Sequence, residues 1–415
     1  MIRREPSTLW RVAAIFAAFA FNYFLSALLR AVVATLAPEF ARELQLGAGE
    51  MGLLAGVYFL GFASMQLPVG WLLDRYGARQ VLLTLLVMAV LGCGGFALAR
   101  SFGELVLARL LIGMGVSASL MAPLTAFLRF FEQPLQLRLN SWMLMSGSLG
   151  MVASTLPVQA LLPLLGWRNL FFVLAAALVV AWAVIATLTP SDRAPSAPTP
   201  RITGGYARIV RHPVFVRSWP LAFFTYGGLI AVQSLWAGPW LTQVVMAEAH
   251  GAAQGLFVIN LSMLASFMAW GLLMPRLVAR GIGPEPLIAW GWPLGAAVLL
   301  TIVVLGPAAD ASWLALWCVS TSVITLSQPT VAQAFPKAEA GRALSAFNLL
   351  IFLGVFACQW GMGLAIDGLM AAGWASAPSH RAAMALLLVG MIAAGMWHWA
   401  YPRLSERRRL VAARG

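Results

Sequence analysis

Twelve stretches of roughly 18 or more mainly apolar residues recur along this chain, each enough to span about 30 Å of hydrocarbon at 1.5 Å per helical residue. They run over 11–36, 49–72, 79–99, 104–128, 139–164, 168–190, 217–245, 252–275, 286–306, 312–335, 343–366 and 381–401. Lipid accepts only elements whose backbone N–H and C=O groups find partners within the chain, and an unbroken apolar run does so as a helix. The expected fold is therefore an all-α membrane protein with twelve transmembrane helices. Composition agrees, since only 10% of residues are charged where a soluble domain carries about 25%. The first run exceeds the apolar core of a cleavable signal and lacks a small-residue cleavage site, so it is expected to stay as a helix.

A formal charge of +13 would suit a nucleic-acid binder if the basic residues shared one face, but here they lie in short loops. Arg3, Arg4, Arg75, Arg79, Arg129, Arg276, Arg280 and Arg403 fall on one side of the membrane if the N-terminus is cytoplasmic. The opposite loops hold few, among them Arg42, Arg100, Arg168 and Arg381. This bias predicts both termini in the cytoplasm, as an even number of crossings requires, and leaves no need for nucleic acid. Cys93, Cys318 and Cys358 each lie inside an apolar run with no pairing pattern, so neither a disulfide framework nor a zinc site is expected.

Between the sixth and seventh runs lies "TPSDRAPSAPTPRITGGYARIVRHPVFVR", whose Pro, Ser and Arg content predicts a cytoplasmic linker with no buried core. The expected organisation is an N-terminal six-helix half over 1–190, a linker over 191–216, and a C-terminal half over 217–415 with a short basic tail. Two weak correspondences point to duplication. "SLMAPLTAF" (119–127) aligns with "TLSQPTVAQ" (325–333), superposing Pro123 on Pro329 at an offset of 206. Arg138 and Leu149-Gly150 align with Arg342 and Leu353-Gly354 at an offset of 204. Two pseudo-symmetric halves imply a solute cavity at their interface near mid-membrane.

The turn "GWLLDRYGAR" (70–79), between runs two and three, resembles the signature of the major facilitator superfamily, with Gly70, Asp74, Arg75, Gly77 and Arg79 at the signature positions. Ala78 stands where a basic residue is common. "ARLLIGMG", with Arg109, Gly113 and Gly115, matches a second signature in helix four, and "LGWRNLFFVLA" (165–175) resembles the start of helix six. Helix five holds Gly147 and Gly150 without the glycine-proline motif of proton-driven drug exporters. The resemblance covers nearly the whole chain. It implies a secondary transporter working by alternating access, and a gating latch at Asp74, Arg75 and Arg79; the competing reading takes the two arginines as ordinary positive-inside charges. By itself the turn is expected to bend at Gly77 and to set Asp74 against helix N-termini and nearby arginines.

Ionisable groups inside a membrane are costly and default to functional candidates. All fourteen acids lie at or beyond a run's end, with Glu39, Glu104 and Asp367 nearest the bilayer. Two arginines are inside, Arg30 ("SALLRAVVA") and Arg109, each about seven residues to the outer side of its run's centre. At a shared depth, two guanidiniums suit a carboxylate or similar anion held by paired donors. The competing reading has Arg30 snorkelling outward and Arg109 pairing with Glu104 or Asp367 as a structural brace. Cation export is disfavoured without a mid-membrane acid, while proton symport with an anion stays open.

"YGGLIAVQSLWAGPW" (226–240) puts Tyr226, Gln233 and Trp236 in helix seven, which Gly227, Gly228, Gly238 and Pro239 can bend or break. Asn22 and Tyr23 in helix one and Gln328 in helix ten complete the expected substrate-binding set, with Asn348, Gln359 and Trp360 as further candidates. Each could instead be an interhelical hydrogen bond, and Trp236 or Trp360 a packing or lipid-facing ring. No Met–His pair at i, i+4 sits mid-membrane, and no phosphate-binding loop or nucleophile elbow is present, so no metal, no cofactor and no enzymatic activity is expected. The expected solute is a small organic anion or polar metabolite, possible coupling is to protons, and the protein is expected as a monomer in a bacterial inner membrane. Export of amphiphilic compounds and a non-transporting receptor on the same fold are the alternatives.

Overall fold

The computed structural model describes residues 6–190 and 205–412. Helices account for nearly all of them, and nine are long and apolar enough to cross a membrane. Three expected spans fall short of that measure for local reasons. Helix α2 (Ala48–Ser64) stops and the chain restarts as α3 (Gln66–Leu98). Helices α4 (Phe102–Gly115) and α5 (Met121–Phe130) are separated by a turn over 116–120, and α6 (Gln133–Ala153) halts two residues before α7 (Leu156–Leu188).

Contacts group the chain into two compact units, Met1–Gln45 with Val57–Arg201, and Leu46–Gly56 with Ile202–Gly415. In the first, α1 (Pro6–Leu44) packs on α6 and α7, and α3 on α4, α5 and α7. Two long helices bend sharply where sequence expected a boundary between runs. Gly77 takes φ 80° inside α3 and Gly166 takes φ 68° inside α7. Both angles lie in the left-handed region that a side chain disfavours, which explains glycine at each. Each bend is followed two residues later by an arginine, and the pair is reciprocal. Arg79 donates to the Ala186 carbonyl in the last turn of α7, while Arg168 donates to the carbonyl of Ala99, the residue capping α3. Terminal carbonyls lack intrahelical partners, so a cation supplies both bond and charge. The antiparallel pair is packed by Phe96, which stacks on Phe171 at 4.1 Å and meets Trp167 edge-on at 5.8 Å.

After Leu46–Gly56, the second unit continues with α8 (Gly205–Val210) and α9 (Pro213–Pro220). Residues 191–204 of the expected linker lie outside the described residues, as do Arg3 and Arg4. Over 205–216 the expectation of a linker without a core is corrected. Ile209 and Phe215 are buried with Ala222, Val331 and Phe347, because these apolar residues are spaced to turn inward while Arg208 and Arg211 stay exposed. Arg208 also reaches Glu339 at 3.3 Å.

Helix seven continues as a π-helical segment (Leu221–Tyr226), α10 (Gly227–Ala231), a second π segment (Val232–Trp236) and α11 (Ala237–Gln243). It is thus widened twice rather than broken at its glycines. Pro239 has no N–H for the Leu235 carbonyl, and the wide turn before it accommodates the ring. Gly227 and Gly228 serve close approach instead: a Cβ on the first would lie 2.7 Å from the Gly354 carbonyl carbon, and on the second 2.6 Å from Leu387. The remaining helices are α12 (Ala249–Ala279), α13 (Pro284–Leu305), α14 (Ala311–Thr321), α15 (Ser327–Gln333), α16 (Lys337–Ala371) and α17 (Ser376–Ala412). The two aligned prolines occupy like positions, each in its own unit. Pro123 follows the turn at 116–120, and Pro329 follows a 3-10 segment, Ser322–Leu326, between α14 and α15.

Candidate transport site and gating turn

In the first unit the site is built on glycine. A Cβ at Gly113 would lie 2.0 Å from the Tyr58 carbonyl, and one at Gly61 2.4 Å from the Leu110 carbonyl, so α2 and α4 touch backbone to backbone. Gly115 does the same against Ala89 of α3 at 2.3 Å. This contact lays the Arg109 guanidinium over the Tyr58 ring, 4.8 Å from its centroid. Arg109 is wholly buried and donates to the Leu29 carbonyl at 2.9 Å, while its Nε and second terminal nitrogen have no hydrogen-bond partner among the described residues. The Tyr58 hydroxyl donates to the Ser26 carbonyl at 3.3 Å, on the same stretch of α1.

Arg30 differs from Arg109. It is half-buried, lies over the Phe62 ring at 5.7 Å, and is hydrogen-bonded to the Tyr23 side chain. The Tyr23 ring in turn packs where α6 has Gly147, whose missing Cβ would lie 2.3 Å from it. Tyr58 and Phe62, one turn apart on α2, thus face the two intramembrane arginines. Sequence reasoning passed over both; their i, i+4 spacing opposite two intramembrane cations was the available signal. Asn22 and Ser26 share the α1 face of Arg30 at four-residue spacing, both are fully buried, and their side-chain polar atoms have no hydrogen-bond partner among the described residues.

The competing reading that paired Arg109 with Glu104 or Asp367 is corrected. Glu104 accepts from the backbone N–H of Arg100 at 2.6 Å. Asp367, inside the second unit, accepts from the N–H groups of Ala48 at 2.9 Å and Gly49 at 2.7 Å. It therefore caps α2, meeting N–H groups that no preceding helical turn can satisfy. Glycines bring α2 and α16 close enough for this: a Cβ at Gly52 would lie 2.3 Å from the Gln359 carbonyl, and one at Gly363 2.3 Å from that of Ala48.

In the turn at 70–79, Arg75 lies over Trp71 at 5.3 Å and Tyr76 at 5.6 Å, and Arg129 donates to the Leu73 carbonyl at 3.4 Å. Asp74 is exposed, Gly70 half-buried, and Gly77 forms the bend. Within the first unit the turn's basic groups are thus spent on helix ends and rings.

The second unit gathers its polar candidates into three linked sets. Tyr226 donates to the Gln328 side-chain oxygen at 3.5 Å, and Gln328 donates to Asn348 at 2.5 Å. Gln233 donates to Asn260 at 3.1 Å, which in turn donates to the Leu256 carbonyl. Trp236 donates to the Gln359 carbonyl at 3.2 Å, and Gln359 donates to the Ser234 hydroxyl at 3.0 Å. Trp236 is 2% exposed, so it packs inside the unit, whereas Trp360 is 37% exposed. Asn260 and Ser234 were not among the expected residues. Three of the linking side chains, Gln233, Ser234 and Trp236, belong to one π segment, where the wider turn redirects side chains from ordinary helical spacing.

Solved structures share this architecture. A bacterial homolog of the human lysosomal transporter Spinster, in an inward-facing and unoccupied conformation, superposes with TM-score 0.73 at 16% identity, over 96% of this chain and 98% of that one. A D-xylose-proton symporter superposes with TM-score 0.76 at 16% identity, over 94% and 98%. In sequence, a protein of Escherichia coli O6:K15:H31 named as a candidate multidrug resistance protein, MdtD, is 35% identical over 109 residues, 26% of this chain and 22% of the relative. A Citrobacter koseri relative of the same name is 33% identical over 115 residues, 28% and 24% of the two chains. The match thus spans under a quarter of those relatives' length. The family model of the Major Facilitator Superfamily matches residues 19–359, and with that match, on this all-helical scaffold, the chain belongs to the major facilitator superfamily of membrane transporters.

Proposed function

We propose that this transporter is secondary active, works by alternating access, and carries a small organic anion or polar metabolite together with protons. The observation that supports this most is the polar face of α1. Asn22, Ser26 and Arg30 follow one another there, and a half-buried guanidinium stands beside the Tyr23 hydroxyl. A carboxylate would meet Arg30 through paired N–H donors and give the buried amide and hydroxyl a partner. Arg109, closed in by Leu29 and Tyr58, fixes the turn of α1 that carries Arg30. Gly70, Asp74, Arg75, Gly77 and Arg79 form the gating turn, and twelve crossings in the bacterial inner membrane leave both termini in the cytoplasm.

The test is thermal unfolding of the detergent-purified protein against carboxylates, phosphates, sugars and cationic dyes, with uptake into proteoliposomes, for the parent and Arg30→Ala. A ligand of the folded state raises the melting temperature according to its affinity. Carboxylates are expected to stabilise the parent alone, and uptake to fall about 100-fold in the variant, the range for stripping a charged partner from a buried ion pair. Unchanged uptake kinetics would overturn the assignment. Export of amphiphilic compounds is the second reading, favoured by the relatives named for multidrug resistance; it gains if dyes alone stabilise both proteins.

A further inference from the structure

Where helix seven, α16 and α17 meet inside the second unit, they leave a cavity of about 120 Å³. Its walls are Phe223 and Phe224 of the first π segment, Ala357 and Gly361 of α16, and Leu386 and Leu387 of α17. The local backbone explains the space. Helix seven and α16 are in contact at Gly354, whose missing Cβ would lie 2.2 Å from the Phe223 carbonyl, and the Phe224 ring packs where α17 has Gly390. The widened turn holds the two rings aside, and one and two turns beyond Gly354 the small residues Ala357 and Gly361 leave the gap unfilled.

Chemistry and position together define what enters. The only side-chain hydrogen-bond groups in the walls are the weak ones of the Cys358 thiol and the Met362 thioether. Apolar cavities of about 150 Å³ stay dry and bind molecules such as benzene, so a water cluster is not the occupant. The cavity opens sideways: Leu386 is 56% exposed, and a Cβ at Gly361 would meet nothing within 4 Å. The same face continues through Leu364 and Val389, at 52% and 62% exposed. In a multi-pass membrane protein this face is the boundary with the bilayer. Gly361 lies only about 10 Å along α16 from that helix's midpoint, well short of the headgroups.

We propose that this cavity is a lipid site that takes the middle of one phospholipid acyl chain from the surrounding bilayer. It depends on the membrane-spanning fold and not on the anion reading. The test is cryo-electron microscopy of the full chain in nanodiscs of phosphatidylcholine brominated at mid-chain, with native mass spectrometry to count retained lipids. Bromine density is expected in the cavity of the parent. It is expected to vanish in Gly361→Leu, where the new side chain takes the space and one fewer lipid is retained; Ala357→Leu is a second filling variant. A parent cavity without bromine overturns the proposal, whether or not either variant folds. Displacement of the bromine by an amphiphilic dye assigns the cavity to a transported solute and overturns it too.

Discussion

Replacing Asp367 by alanine tests how one carboxylate holds the first turn of α2. Its two oxygens accept from the Ala48 and Gly49 N–H groups at 2.9 and 2.7 Å, in a partly buried setting. Removing a helix-capping acceptor costs about 0.5–2 kcal/mol, and bonds to a charged acceptor run to about 1.5–3 kcal/mol each before water replaces them. Partial exposure lets water recover much of that, so about 2 kcal/mol is expected for the pair. For a chain of 415 residues unfolding as one unit, this lowers the melting temperature by about 2 °C, and by more where helices persist in the detergent-unfolded state. Asp367→Asn keeps one acceptor and should fall between parent and Asp367→Ala. Glu50→Ala removes an exposed bond from the Gly47 N–H and should shift the midpoint by well under 1 °C. The assay is intrinsic fluorescence during heating, with 17 tryptophans as reporters. If Asp367→Ala melts with the parent, the cap does not hold α2 and the reasoning fails.

Other variants follow from the same geometry. Gly113→Ala would set a Cβ 2.0 Å from the Tyr58 carbonyl, a backbone clash that no rotamer relieves, so a loss of about 3 kcal/mol or more is expected; Gly103→Ala, with open space around it, should melt at or above the parent. Glu43 accepts from the Trp167 ring N–H and from Arg168, and these bonds hold its carboxyl below the usual carboxylate range. A depressed folded value stabilises above the unfolded pKa of about 4.3 and is lost on acidification. The difference in melting temperature between parent and Glu43→Gln should therefore be present at pH 7 and close as pH falls below about 4. A gap persisting in acid would sink that account.

Some of this was legible in sequence, and the reason differs from residue to residue. The bend at Gly77 could be located because glycine beside charge, between two apolar runs, is a local signal; the one at Gly166 carries the same signal and was passed over. Arg30 and Arg109 stood out because a cation in an apolar run is rare. Tyr58 and Phe62 did not, since an aromatic ring in a membrane helix looks the same whether it faces lipid or a guanidinium. The Asp367 cap joins residues more than 300 positions apart, and nothing within either segment encodes the other. Widening of helix seven was read as bending, because a π turn adds a residue to a turn without a characteristic residue type. The linker was read from its average composition, which hid the inward spacing of Ile209 and Phe215.

The exchange of arginines between the two glycine bends bears on how the chain enters a membrane. Arg79 and Arg168 stand at opposite ends of the same antiparallel pair, about 30 Å apart for the 22 residues from Gly77 to Ala99 at 1.5 Å each. They therefore stand near opposite membrane faces, of which the cytoplasmic one is marked by an excess of Lys and Arg in its short loops. At the end that carries Arg168, Arg168 is paired with Glu43 and Arg42 with Glu39, while Glu104 accepts from the Arg100 backbone N–H. Acid thus stands beside the arginines at the end where Arg168 caps α3. Because Lys and Arg set insertion topology and acids contribute little to it, stripping Glu39, Glu43 and Glu104 together is expected to leave the orientation of the chain unchanged while Arg168 and Arg42 lose their carboxylates.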